Sequence, residues 1–91
     1  MDSEITNDAA ASRYETTVDG ITAYAAYTVA DDVVTFTHTI VPEALGGRGI
    51  ASRLIRFALD DVRARGLKIV PRCPFVAAYI EKHPEYRNLV A

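Results

Sequence analysis

From Val33 to Arg65 the chain reads VVTFTHTIVPEALGGRGIASRLIRFALDDVRAR, and no other stretch restricts the fold so strongly. Its first part alternates like a strand: Val34, Phe36, His38 and Ile40 on one face, Thr35, Thr37 and Thr39 on the other. Pro42 has no N–H to give and stops the ladder. After Gly46, Gly47 and Gly49 the period changes. Ile50, Leu54, Ile55, Ala58, Leu59 and Val62 form one apolar stripe, which predicts a helix from about Arg48 to Arg65, ended by Gly66. Arg56 with Asp60, and Asp61 with Arg65, are opposite charges four apart on its wet side.

The rest of the chain is arranged around this strand, turn and helix. Residues 1–11 are polar and Ala-rich without a period and are expected to be a flexible N-terminal tail, with residues 12–91 forming a single domain. RYETTV and ITAYAAYTV flank Asp19-Gly20, a strong hairpin signal, and Ala30-Asp31-Asp32 makes the next turn. The expectation is a three-stranded antiparallel meander. Leu67 to Val70 is a short fourth strand; reached through a helix, it should pair parallel to the third. A last helix starts at Pro74 and stops near His83, because Pro84 disfavours helix in the residue before it. The fold class is α+β.

A formal charge of −2 argues against a main role on nucleic acid or an anionic membrane. No apolar run approaches the roughly 20 residues needed to cross a bilayer. The first residues lack the basic-then-apolar order of a signal peptide, and the lone Cys73 has no partner for a disulfide within the chain. A cytoplasmic setting is expected.

A strand that empties through glycines into a helix leaves several backbone N–H groups without partners. These donors, with the positive end of the helix dipole, suit a phosphate. Three glycine-loop classes compete for this role. A Walker loop requires Gly-Lys, which the chain lacks. A dinucleotide fold requires G-x-G-x-x-G and an acidic residue about 20 positions on; the third glycine is missing and position 69 is Ile. An acyl-coenzyme A site is the third. A tight strand-to-helix turn with no ligand would also explain the glycines.

HTIVPEALGGRGIASRLI resembles the central motif of the GNAT superfamily of N-acetyltransferases. Together with VPRCPFVAAYIEKHPEY it is similar to that superfamily's small abbreviated branch, over about residues 13 to 90. The resemblance implies a GNAT-like fold in which the third and fourth strands splay to admit a pantetheine arm. It implies acetyl-coenzyme A as cosubstrate and no metal. By the same resemblance, backbone groups of Ile40 and Val41 would meet pantetheine. Amides around Gly46, Gly47, Arg48, Gly49, Ile50 and Ala51 would hold pyrophosphate; position in the chain, and not the resemblance, adds the Arg48 and Arg53 side chains as candidates to reach it. Ala44 stands where the usual motif has Gln or Arg, which removes one side-chain contact and leaves the backbone site intact.

Acetyl transfer to an amine needs a deprotonated nucleophile, a polarised thioester carbonyl and a proton for the leaving thiolate. The Val41 N–H is a candidate for the second. Cys73 follows the fourth strand at the head of the last helix, where thiolate is favoured; it is a catalytic candidate or a buried, inert thiol. His38 is a candidate base or a hydrogen-bonded core histidine. Tyr79 is one position out of register with the general-acid tyrosine of larger relatives and is read as core or groove lining. His83 and Tyr86 are read as ties for the C-terminal turn. Two functions follow: an N-acetyltransferase acting on an unspecified amine or protein acceptor, or a non-catalytic coenzyme A-binding module working through a protein partner. Either a monomer or a homodimer is compatible with the sequence.

Overall fold

Two turns led by aspartate shape the first half of the molecule. Asp19-Gly20 (φ 52° and 76°) and Asp31-Asp32 (φ 52° and 63°) both hold two successive positive φ values, the twist that closes a two-residue hairpin. Aspartate tolerates that region better than most residues with a side chain. In the computed structural model, which describes residues 4–91, these turns join β2 (Arg13–Val18), β3 (Ile21–Ala30) and β4 (Val33–Ile40) into the expected antiparallel meander. β5 (Lys68–Pro71) then pairs parallel to β4.

One strand was not expected. Thr6–Asp8, placed in the tail on sequence, forms β1 and pairs antiparallel with β2. Its polar composition hides the reason for its order: Ile5 packs on the core and Asn7 accepts a hydrogen bond from the Tyr27 hydroxyl. Residues 1–3 of the expected tail lie outside the described residues. The sheet therefore has five strands in the order β1-β2-β3-β4-β5.

Helix α1 (Ile50–Ala64) buries the stripe read from sequence: Ile50, Leu54, Ile55, Ala58, Leu59 and Val62. Burying each large aliphatic side chain contributes about 1.5–3 kcal/mol. Its C-terminus closes with Gly66 N–H donating to the Arg63 carbonyl and Leu67 N–H to the Val62 carbonyl. Arg65 pairs with Asp61 at 2.9 Å as expected. The pairing of Arg56 with Asp60 does not form among the described residues; Asp60 accepts the Tyr86 hydroxyl at 2.7 Å instead. Helix α2 (Pro74–Lys82) starts after Cys73 and leads into a 3-10 turn over Pro84–Leu89. Both helices and that turn contribute to one core with Tyr14, Tyr27, Phe36 and Ile69, so they cover one face of the sheet. The other face carries Arg13, Glu15, Tyr24 and His38, with no covering layer among the described residues. No helix among the described residues is long and apolar enough to cross a membrane.

β4 contains an irregularity that decides the geometry of everything beyond it. Phe36 stands opposite Tyr27 and His38 opposite Ala26, so Thr37 is an extra residue. One extra residue inverts the face of every side chain after it. Thr39, opposite Ala25, and Val41 therefore join the core side, and His38 and Ile40 turn to the uncovered side. The simple alternation read from sequence holds only up to Phe36.

Two tyrosines make the stability depend on alkaline pH. Burial, then donation to Asp60, pushes the Tyr86 hydroxyl up to about 12. Burial, then donation to Asp61 at 2.7 Å, raises Tyr14 further. A tyrosine in the unfolded chain ionises near pH 10. The tyrosines' contribution should thus be complete below about pH 10 and be lost as pH rises towards 12. Urea unfolding should show this decline, and Tyr14→Phe should flatten it while costing about 1 kcal/mol at pH 7. An identical slope in the variant would contradict the assignment.

Candidate cofactor cleft and acyl-transfer site

The parallel ladder between β4 and β5 is short. It runs from Val33 opposite Lys68 to Phe36 opposite Pro71, with one further link from the Cys73 N–H to the Phe36 carbonyl at 2.9 Å. The chain then enters α2, so among the described residues Thr37 to Val41 have no strand on that side. The expected splay is present.

After Pro42 a single 3-10 turn, Glu43–Leu45, leads into the glycines. Gly47 (φ 78°) and Gly49 (φ 71°) are left-handed, and a Cβ at either would project into open space rather than into the protein. Among the described residues, the N–H groups of Gly47, Arg48, Gly49, Ile50, Ala51 and Ser52 donate to no protein acceptor; the ladder of α1 begins with Arg53 N–H to the Gly49 carbonyl at 3.1 Å. The Val41 N–H is likewise unpaired among the described residues. Apart from Arg48, these residues line a cleft of about 320 Å³, together with Leu45, Gly46 and Phe75 of α2. Unpaired main-chain donors at the positive end of a 15-residue helix are an anion site, with charge-assisted bonds worth about 1.5–3 kcal/mol each.

The residues expected here divide into three groups. Val41, Gly46, Gly47, Gly49, Ile50 and Ala51 line the cleft. Gly46 is a wall and not a donor: its N–H is already given to the Glu43 carbonyl at 3.0 Å, because the 3-10 turn closes on it. Arg48 contributes an unpaired amide, but its guanidinium reaches Asp19 in the β2–β3 turn at 3.1 Å and not the cleft. That pair is exposed on both sides and weak. Arg53 is exposed outside the cleft lining and its N–H belongs to the helix ladder. The Ile40 side chain, 43% exposed, lies on the uncovered face.

The structure does not bring the two catalytic candidates together. Cys73 is 3% exposed and caps α2, and its Sγ lies 3.3 Å from Thr39 Oγ1 on the core side of β4. His38 is exposed on the opposite face, with Nδ1 3.1 Å from Thr37 Oγ1 and its ring edge-on to Tyr24. It is not a core histidine, because the extra residue at Thr37 rotates it outward. Tyr79 is buried as read, stacks on His83 at 4.1 Å, and is raised above its ordinary range by that burial. Four residues escaped the sequence reading: Thr39, Leu45, Ser52 and Phe75. Ser52 follows from the helix register, three positions after the Gly49 cap; Thr39 and Phe75 are set by tertiary placement.

A second cavity of about 330 Å³ lies among Asn7, Ser12, Tyr14, Tyr27 and Arg65. Tyr14 and Arg65 are paired with Asp61, and Tyr27 with Asn7, so these groups are less available to a ligand than the amides of the glycine cleft.

A meander, a parallel strand after a crossover helix and an anion cleft where those strands part define an acyltransferase-type domain. Residues 13–89 match the family model described as GCN5-related N-acetyl-transferase, and the chain belongs to that family. It is similar to Protein NATD1 of Gallus gallus and of Homo sapiens, 40% identical over 52 residues; these cover 57% of this chain and 47% and 46% of those proteins. Protein NATD1 of Danio rerio is 37% identical over 60 residues, 64% of this chain and 54% of that protein. The matched segment thus spans about half the length of these relatives. The solution structure of a GCN5-like candidate N-acetyltransferase from Staphylococcus aureus matches with a TM-score of 0.75 at 25% identity, over 97% of this chain and 87% of that one.

The left-handed glycines give a direct check on the loop. Gly49→Ala meets no steric obstacle, so it should lower stability by about 1 kcal/mol through backbone strain alone. Denaturant unfolding measures this; a loss several times larger would mean that the loop packs against something else.

Proposed function

We propose that this chain is an acetyl-coenzyme A-dependent N-acetyltransferase acting on an amine. The observation that carries this reading is the run of unpaired amides from Gly47 to Ser52 around an open cleft, since a diphosphate is the ligand that such a run satisfies. Acetyl-coenzyme A supplies an acetyl group activated as a thioester. The acceptor nitrogen bonds to the acetyl carbon, the carbon–sulfur bond breaks, and the proton lost by nitrogen balances the one gained by the departing thiolate.

The chain's residues divide these tasks. The amides from Gly47 to Ser52 hold the diphosphate, and Val41 N–H polarises the thioester carbonyl. Cys73, buried and bonded to Thr39, serves as a proton donor to the thiolate rather than as an acyl carrier, because an acyl-enzyme would need more room than a 3% exposed thiol has. His38 stands on the uncovered face, from which an acceptor can approach the gap between β4 and β5, and serves there as the base.

Calorimetry with coenzyme A and thiol release with acetyl-coenzyme A and a panel of amines and peptides test this. Gly47→Val, which puts a branched side chain where phosphate approaches, should weaken coenzyme A binding at least tenfold with the fold retained by circular dichroism. Unchanged affinity would remove the loop from the site. Tight binding without thiol release above a Cys73→Ser control would favour the coenzyme A-binding module instead.

A further inference from the structure

The extra residue in β4 does more than invert the faces beyond it. In a regular strand successive side chains point to opposite faces, so Thr37 could not reach the ring of His38. Where two residues stand against one, both can lie on the same side, and here both are exposed. Thr37 Oγ1 lies 3.1 Å from His38 Nδ1 and 3.3 Å from the Ala26 carbonyl oxygen on β3.

Only one arrangement of hydrogens satisfies both contacts. A hydroxyl has a single proton to donate, and a carbonyl oxygen can only accept. The Thr37 proton therefore goes to Ala26, and Oγ1 is left to accept from Nδ1–H. A neutral imidazole carries one proton, so its presence on Nδ1 leaves Nε2 with a free lone pair. Nε2 has no hydrogen-bond partner among the described residues. The ring is held from a second side as well. Tyr24 stands edge-on to it at 6.0 Å, the Arg13 guanidinium lies 4.7 Å over the Tyr24 ring, and Glu15 fixes Arg13 at 2.6 Å.

We propose that Thr37 is a positioning residue for acyl transfer: it fixes His38 in the Nδ1–H tautomer and so presents Nε2 as the base. This rests on the acetyltransferase reading of the site and deepens it. As the acceptor nitrogen bonds to the acetyl carbon, its N–H bond breaks and Nε2 takes the proton. The imidazolium so formed keeps its Nδ1–H bond to Thr37, and nothing around the ring has to reorganise. An unconstrained histidine favours the proton on Nε2, where it would block this step, and the contact with Thr37 is what reverses that preference.

Nitrogen-15 NMR of the ring nitrogens in the full chain, with the imidazole neutral, reads the tautomer independently of activity. The chain has two histidines, and His38→Gln identifies the signals. The unaltered protein should show His38 protonated on Nδ1. Thr37→Val, with the fold retained by circular dichroism, should move the proton towards Nε2, and Thr37→Ser should keep it on Nδ1. In thiol release with acetyl-coenzyme A and an amine, Thr37→Val should lower kcat about three- to tenfold with KM unchanged, and Thr37→Ser should restore it. His38 protonated on Nε2 in the unaltered protein, or an unaltered tautomer and kcat in Thr37→Val, overturns the proposal. The Nδ1 tautomer in a protein that releases no thiol supports the hold of Thr37 on the ring and overturns the acetyltransferase reading on which its positioning role rests.

Discussion

Main-chain N–H groups that find no acceptor are costly unless water or a ligand satisfies them, and six in succession, from Gly47 to Ser52, have no acceptor among the described residues. They are kept in place by the two ends of their segment. Upstream, the 3-10 turn uses the Leu45 and Gly46 amides and fixes where the free run begins. Downstream, the buried stripe of α1 anchors the helix on the sheet, so its first turn cannot rotate to find other partners. A pre-set donor array needs little ordering when an anion arrives, which is what makes such an array effective in binding.

The second constraint is the extra residue at Thr37. The inversion it imposes brings Thr39 under Cys73 and Val41 to the cleft, and turns His38 outward. Combined with a parallel ladder that ends at Phe36 and Pro71, it produces a gap with the glycine loop on one side and the uncovered sheet face on the other. Cys73 and His38 thus fall on different faces of β4.

Much of this was legible in the chain because local chemistry dictated it. The change of period after Gly49, the Asp-Gly turn, the stop at Gly66 and the Pro74 start all mark element ends by backbone rules that tertiary structure rarely overrides. The donor run followed from the same logic, apart from Gly46, whose amide was taken by a 3-10 turn that PEAL does not announce. What was not legible depended on long-range placement. The extra residue in β4 has no glycine to flag it, so plain alternation places His38 on the same face as Val34 and Phe36. β1 is polar and three residues long, and it owes its order to Ile5 and Asn7 contacts made across the sheet. Arg48 was assigned to phosphate by position, whereas the β2–β3 turn brings Asp19 to it.

The central claim is that coenzyme A is held by these amides. Nitrogen-15 NMR during titration with coenzyme A reads it residue by residue. The account predicts that the largest shifts fall on Gly47 to Ser52 and on Val41, with Gly46 responding less. Shifts centred instead on Asn7, Ser12 and Tyr27, or an unmoved glycine loop at saturation, would contradict it.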